Sequence, residues 1–284
     1  MSGRIEKNLS TVGELPSVPA VASAVLTVAG DPNSSAEDLR EVVNRDPSLS
    51  ARILKVSNSS LYSFSREVET LRHAITLLGF RTVENLVMAA SLRDVFKNFG
   101  LSEKLLWEHA TLSGSVAGKL SSYGPIEIDR ESAFTAGLLH DLGKIALANT
   151  VREKYQKIIM RTYNEGISYV DAEREEFGFD HAELGAEIAD KWKLPSRLVN
   201  AIRYHHHAPE EYTQLAEGDR RLVALTSVVT RCCTRLGIGR RGPAEAINPS
   251  ELPTWQLLGL GEEDVDPVLE IVTEEAKAAE GLFG

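Results

Sequence analysis

Cysteine is nearly absent from the 284-residue sequence, which holds two, adjacent at Cys232 and Cys233. That pair makes no disulfide framework and reads as two small buried hydrophobes in a reducing cytosol. Basic residues are also scarce, 31 Lys and Arg against 41 Asp and Glu, for a net charge of −10. Affinity for phosphate backbones comes from clustered cations, so no nucleic-acid partner is expected. No apolar run approaches the ~18 residues that a spanning helix needs. The stretch from Val18 to Gly30 comes nearest, and Ser23 and Thr27 interrupt it. No membrane association is expected, and the chain reads as cytoplasmic. Alternating apolar and polar runs of any length are missing as well, which removes the strand signal. What remains, 43% hydrophobic and 25% charged residues, is the balance of an ordinary globular protein of one or two domains.

Helical periodicity recurs almost everywhere. Val18, Val21, Ala22, Val25, Leu26 and Ala29 fall on one helix face, and Asp31-Pro32 stops it. Ser34 with Glu37 reads as a capping box for a helix carrying Leu39, Val42 and Val43. Asp46-Pro47 opens another, with Leu49, Ile53 and Leu54 at helical spacing. Further amphipathic segments run through Leu71–Leu78, Val83–Phe99, Leu105–Leu120, Ser132–Ala148, Glu153–Asn164, His181–Lys191, Ser196–His205, Arg221–Leu236 and Asp266–Gly281. The fold class is therefore all-α. A seam near Gly100 separates an N-terminal helical half, 1–100, from a second half, 101–236, followed by a loop and C-terminal helix over 237–284. Gly237–Glu251 is rich in Gly and Pro, and Leu252–Glu263 reads as a surface excursion.

Six of the seven histidines lie after the seam: His109, His140, His181, His205, His206 and His207. His140-Asp141-Leu-Gly-Lys144 is the most informative stretch, because Phe134, Leu138 and Leu139 before it place the doublet on a buried helix. Lys144, four residues after His140 and three after Asp141, would face the same pocket. An imidazole, a carboxylate and an ammonium at one place suggest a metal site beside a phosphate contact. His109 lies on the stripe of Leu105, Leu112 and Val116, and His181 on that of Leu184 and Ile188. Of His205, His206 and His207, two could face a common site and the third would be solvated, since successive helical residues point about 100° apart.

Each of these has an ordinary reading. A single histidine on a helix stripe is usually a hydrogen-bonded core residue, a histidine run can be a polar helix end, and Asp141 with Lys144 could be a plain ion pair. Their co-occurrence on helices able to form a bundle favours a metal site. His73 stands alone and reads as structural.

At these residues the sequence resembles the HD superfamily of metal-dependent phosphohydrolases. His140-Asp141-Leu-Gly-Lys144 and the pair His205-His206 are similar to its HD-GYP branch. The N-terminal half resembles the HDOD domain, a regulatory module of bacterial signalling. The residues that carry this are Leu15-Pro-Ser-Val-Pro19, the run from Asp46-Pro-Ser-Leu-Ser through Asn58-Ser-Ser-Leu-Tyr62, and His73-Ala-Ile-Thr-Leu-Leu-Gly79. The resemblance covers about residues 10 to 235 and implies an N-terminal helical bundle packed on an HD-like one.

It also implies a ligand set of His109, His140, Asp141, His181, His205 and His206. Asp141 would bridge if two ions bind, and Lys144 would lie against a substrate phosphate. Two departures stand out. Ser227 occupies the place of the superfamily's last aspartate ligand, and the Gly-Tyr-Pro element is replaced by His207-Ala-Pro-Glu-Glu. The expected cofactor is one or two divalent transition-metal ions, Fe or Mn ahead of Zn or Ni, because imidazoles with one carboxylate suit these better than Mg or Ca. A regulatory HDOD module, binding a signalling protein or a small phosphorylated ligand, is the first expectation. A working phosphohydrolase, with Asp141 and Lys144 as its catalytic residues, is the second.

Overall fold

The structure, a computed structural model, describes residues 20–31, 33–58, 67–80, 82–84, 86–87, 101–239 and 242–279. Its helices in chain order are α1 (Ala20–Gly30), α2 (Ala36–Asn44), α3 (Pro47–Ser57), α4 (Leu71–Leu78), α5 (Leu101–Leu120), α6 (Arg130–Leu139) and α7 (Leu142–Thr150). They continue with α8 (Arg152–Asn164), α9 (Tyr169–Phe177), α10 (His181–Lys191), α11 (Ser196–Tyr204), α12 (Glu217–Arg235), α13 (Pro253–Leu257) and α14 (Val265–Ala279). No strand occurs among the described residues, and none of their helices is long and apolar enough to cross a membrane.

Local chemistry fixes where the elements begin. The Asp46 carboxylate accepts from the Leu49 amide at 3.0 Å ahead of α3, which has Pro47 as its first residue. The next cap inward differs from expectation: Ser35 with Asp38, not Ser34 with Glu37, forms the box that opens α2. Both pairs have the required three-residue spacing, and the shorter acid at 38 reaches back to the Ser35 amide at 2.8 Å. Asp129 caps α6, Ser168 caps α9, and Asp180 with Glu183 boxes α10, so His181 is held at the first turn of its helix.

Three apolar clusters fill the interior. In the first, Val25, Leu39, Val43, Leu49, Ile53 and Ala74 meet Ala110 of α5 and Phe134 and Leu138 of α6. In the second, Leu142 and Ile145 of α7 pack with Leu184 and Ile188 of α10, Trp192 and Ile202. In the third, Leu225 and Val228 of α12 meet Trp255, Leu258 and Val268. The last contact corrects an expectation. Leu252–Glu263 is not a surface excursion, because Trp255, Leu258 and Leu260 are buried and the Trp255 indole N–H donates to the Gly261 carbonyl at 2.8 Å. Each such side chain is worth about 1.5–3 kcal/mol on burial. The segment is too short and too rich in turn residues to show helical periodicity.

Cys232 and Cys233 are fully buried free thiols, and Ser113 donates a weak hydrogen bond to Cys233. The Leu15–Pro19 and Ser59–Tyr62 parts of the N-terminal motifs, most of the helix read over Val83–Phe99 and the Gly100 seam lie outside the described residues.

Candidate metal centre

The His140-Asp141 doublet does not lie within one helix. The chain turns there, with His140 capping the end of α6 and Asp141 preceding the first residue of α7. The turn brings the Asp141 carboxylate back over α7, where the Lys144 ammonium donates to Oδ2 at 2.9 Å. Close approach of α7 to α10 completes the arrangement. A Cβ on Gly143 would lie 2.0 Å from the carbonyl oxygen of His181, so only glycine lets the two helices meet at this depth.

Around Asp141 the imidazoles gather from four helices. Oδ2 faces one pair, with His140 Nε2 at 3.4 Å and His109 Nε2 of α5 at 3.8 Å. Oδ1 faces another, with His181 Nε2 at 3.3 Å and His205 Nε2, at the end of α11, at 3.9 Å. His206 adds its Nε2 at 2.9 Å from that of His181. Two groups result, His109–His140–Asp141 and His181–His205–His206, each with ligand atoms close enough to share an ion. All six expected ligands and Lys144 therefore come together in space. His207 turns toward the partly exposed edge against Tyr204, and His73 of α4 lies on another helix altogether.

Hydrogen bonding fixes which nitrogen is free in four of the rings. His140 Nδ1 lies 2.6 Å from the Gly137 carbonyl, His205 Nδ1 2.7 Å from Ile202, and His109 Nδ1 3.2 Å from Ile238. A carbonyl only accepts, so each Nδ1 carries the proton and each Nε2 presents a lone pair. His181 Nδ1 is set the same way by the Glu173 carboxylate at 2.6 Å, which also accepts from the His181 amide at 2.8 Å and from the Tyr155 hydroxyl at 2.9 Å. Carboxylate or carbonyl partners behind these four imidazoles are the usual outer shell of a metal site.

The centre has more lone pairs than donors. His140 Nε2, His205 Nε2 and Asp141 Oδ1 are all buried and make no hydrogen bond within the chain. Burial pushes the His109 pKa down to about 3, against a smaller upward pull from Asp141. Burial also drives His205 and His206 well below the usual imidazole range, helped by the neighbouring rings. For Asp141 burial acts upward, but His140 and Lys144 outweigh it and hold the carboxyl well below its ordinary value. Neutral imidazoles around an ionised carboxylate, with orphaned acceptors facing inward, fit a divalent transition metal.

Beside the centre lies a cavity of about 460 Å³, with His109, Asp141, Lys144 and His206 on its wall. Lys144 also lies 4.7 Å above the Tyr169 ring. Ser227 is buried on α12 and is not among the lining residues.

Sequence reasoning missed Glu173 and the Ile238 carbonyl. Glu173 precedes His181 by eight residues, and the only signal was its place one turn before Phe177 on a buried stripe. Ile238 sits in a loop whose Gly239, at φ +66°, packs so tightly on α5 that a Cβ would lie 2.4 Å from that of His109. A backbone carbonyl leaves no trace in residue identity.

The fold and centre together define an all-helical protein with a buried imidazole–carboxylate cluster. A model of the HDOD domain matches residues 15–208, and the chain belongs to that family. An uncharacterized protein of Treponema pallidum is 27% identical over 209 residues, 72% of this chain and 40% of that protein. Ribonuclease Y of Mycoplasma mycoides is 31% identical over 109 residues, 38% of this chain and 18% of the other. The chain thus spans less than half the length of either relative. An HDOD domain protein of unknown function from Geobacter sulfurreducens has a crystal structure similar at a TM-score of 0.81 with 23% identity, covering 99% of this chain and 97% of its own. A candidate phosphohydrolase from Shewanella amazonensis is similar at 0.73 with 24% identity, covering 98% of each chain. Both structures share the helical fold.

Proposed function

We propose that this HDOD protein is a cytoplasmic bacterial signalling module whose HD-like pocket holds one or two transition-metal ions, Fe or Mn ahead of Zn or Ni, and binds a small phosphorylated ligand. The observation that carries the reading is the set of inward Nε2 atoms divided between the two oxygens of Asp141. His109, His140 and Asp141 would hold one ion, and His181, His205 and His206 the other, with Asp141 shared. Bound metal supplies Lewis-acid activation of an oxygen. Lys144 donates to a phosphate oxygen from the cavity wall, and the occupied pocket presents its state to a signalling protein. Ser227, a neutral hydroxyl where the superfamily has a carboxylate, supports binding over turnover.

A second reading, a phosphohydrolase acting on a nucleotide or another phosphoester, draws on Lys144 standing beside Asp141 at the cavity wall. The relationship to Ribonuclease Y also supports it. In that case Asp141 accepts a proton from the attacking water and Lys144 offsets charge on the phosphoryl oxygens. The two separate in one assay, in which metal-loaded protein is incubated with bis(p-nitrophenyl) phosphate and with nucleotides. The regulatory reading expects metal retention without turnover. Turnover that disappears in both His140→Ala and Asp141→Asn would replace it with the second.

A further inference from the structure

Arg231 stands on the α12 wall of the cavity, with Thr230 and Thr234 beside it on the same helix. The residue is partly buried, and that desolvation pulls its pKa below the usual value. Arg161 pairs with Glu175, Arg174 with Asp180 and Arg203 with Glu187, while Arg221 and Arg235 donate to backbone carbonyls. Arg231 makes no ion pair and no side-chain hydrogen bond among the described residues. A half-buried, uncompensated charge lowers stability, so folding alone gives no reason for it.

The other cation and the Ser and Thr hydroxyls of the wall are already committed. Lys144, the cavity's other lysine or arginine among the lining residues, pairs with Asp141. Thr230 donates to the Thr226 carbonyl, Thr234 to that of Thr230, Thr162 to that of Ile159, and Ser168 to the Asp171 carboxylate. These hydroxyl oxygens keep only lone pairs, so they accept from a ligand and do not hold an anion. Among the described residues the wall therefore offers one free strong cation and several acceptors. A phosphate joined to a group rich in O–H and N–H donors complements it, and about 460 Å³ lies within the range that small-molecule sites occupy.

We propose that Arg231 anchors a phosphate on the α12 wall and that the cavity takes a nucleotide, whose sugar and base donors meet the threonine oxygens. This deepens the reading of a phosphorylated ligand given above and rests on it, but it does not need the metal. The test is calorimetric titration of chelator-stripped protein with ADP, GDP and adenosine, in wild type, Arg231→Gln and Arg231→Lys. Wild type is expected to bind one of the two nucleotides at least about tenfold tighter than adenosine, the scale of one charge-assisted hydrogen bond. Arg231→Gln should remove that preference, and Arg231→Lys should restore part of it.

Elemental analysis of Arg231→Gln should match wild type. A wild-type protein without metal would then count against the centre and leave the anchor standing. The thermal midpoint of Arg231→Gln should equal or exceed that of wild type, because an uncompensated charge is removed. Nucleotide affinity within twofold of wild type in Arg231→Gln, no nucleotide binding by wild type, or a lowered midpoint would each overturn the proposal.

Discussion

Helices α1 to α4 and helices α5 to α12 bury different kinds of group. In the described part of the first, the interior is Val25, Leu39, Val43, Leu49 and Ile53. Two of the buried polar side chains there are satisfied within one turn, Ser57 donating to Ile53 and Thr82 to Leu78. In the second, His109, His140, Asp141, Lys144, Glu173, His181 and His205 lie inside, and three of their acceptor atoms find no partner in the chain. Apolar burial is explained by the hydrophobic effect alone. Buried lone pairs gathered on one point oppose folding unless a donor or a cation joins them, so the second region is the one suited to a bound ion.

Asp141→Ala is the sharpest way to break the contrast. It strips Lys144 of its carboxylate partner and removes the side chain whose two oxygens face the two imidazole pairs. Metal content should fall to background and stability by about 3–5 kcal/mol, the usual result of orphaning a buried charge. Leu39→Ala, fully buried in the other region, should cost about 2–5 kcal/mol through transfer and cavity effects. Its metal content per folded chain should not change. Equal metal loss in both variants would mean that the two regions do not differ in the way described.

Glu173→Gln sharpens the same point at lower cost. The amide can still accept from the Tyr155 hydroxyl or the His181 amide, but it no longer holds His181 Nδ1–H with a full charge. Metal affinity should fall about 10–100-fold, measured by competition with a chromogenic chelator, with little change in the melting curve. An unaltered affinity would make Glu173 a folding residue only.

The pH dependence follows from the neutral imidazoles. His109 sits at about 3 in the fold, against 6.5 for a free imidazole, and burial lowers His205 and His206 as well. Between those values the unfolded chain binds protons that the folded chain refuses. Stability is therefore full above about pH 6.5 and falls as pH drops toward 3, by about 1.4 kcal/mol per pH unit for His109, with His205 and His206 acting in the same direction. Denaturant titrations at pH 7.5, 6 and 5 should show the decline, and a flat profile would refute it.

Most of the helices were legible in the sequence, because apolar stripes at helical spacing and Asp, Ser and Pro caps act locally. The ligand set was legible for a different reason: His and Asp are costly to bury, so their presence on apolar stripes carried information. The break between His140 and Asp141 was not legible, since both flanking segments have the same periodicity and no Gly or Pro marks the turn. Trp255 and Leu258 looked like surface because their burial depends on α12, which is distant in sequence. Glu173 and Arg231 read as ordinary charges on helices. Their meaning comes from what lies opposite them, which is His181 for one and a cavity for the other.

The metal centre stands or falls with the Nε2 atoms around Asp141 facing an ion. The direct measurement is metal per chain by plasma mass spectrometry, on protein purified without chelator and again after reloading with Fe, Mn, Zn or Ni. The centre predicts one to two equivalents in wild type and almost none in a His140→Ala, His181→Ala double variant that still melts cooperatively. Wild-type protein that carries no metal and takes up none on reloading would contradict it.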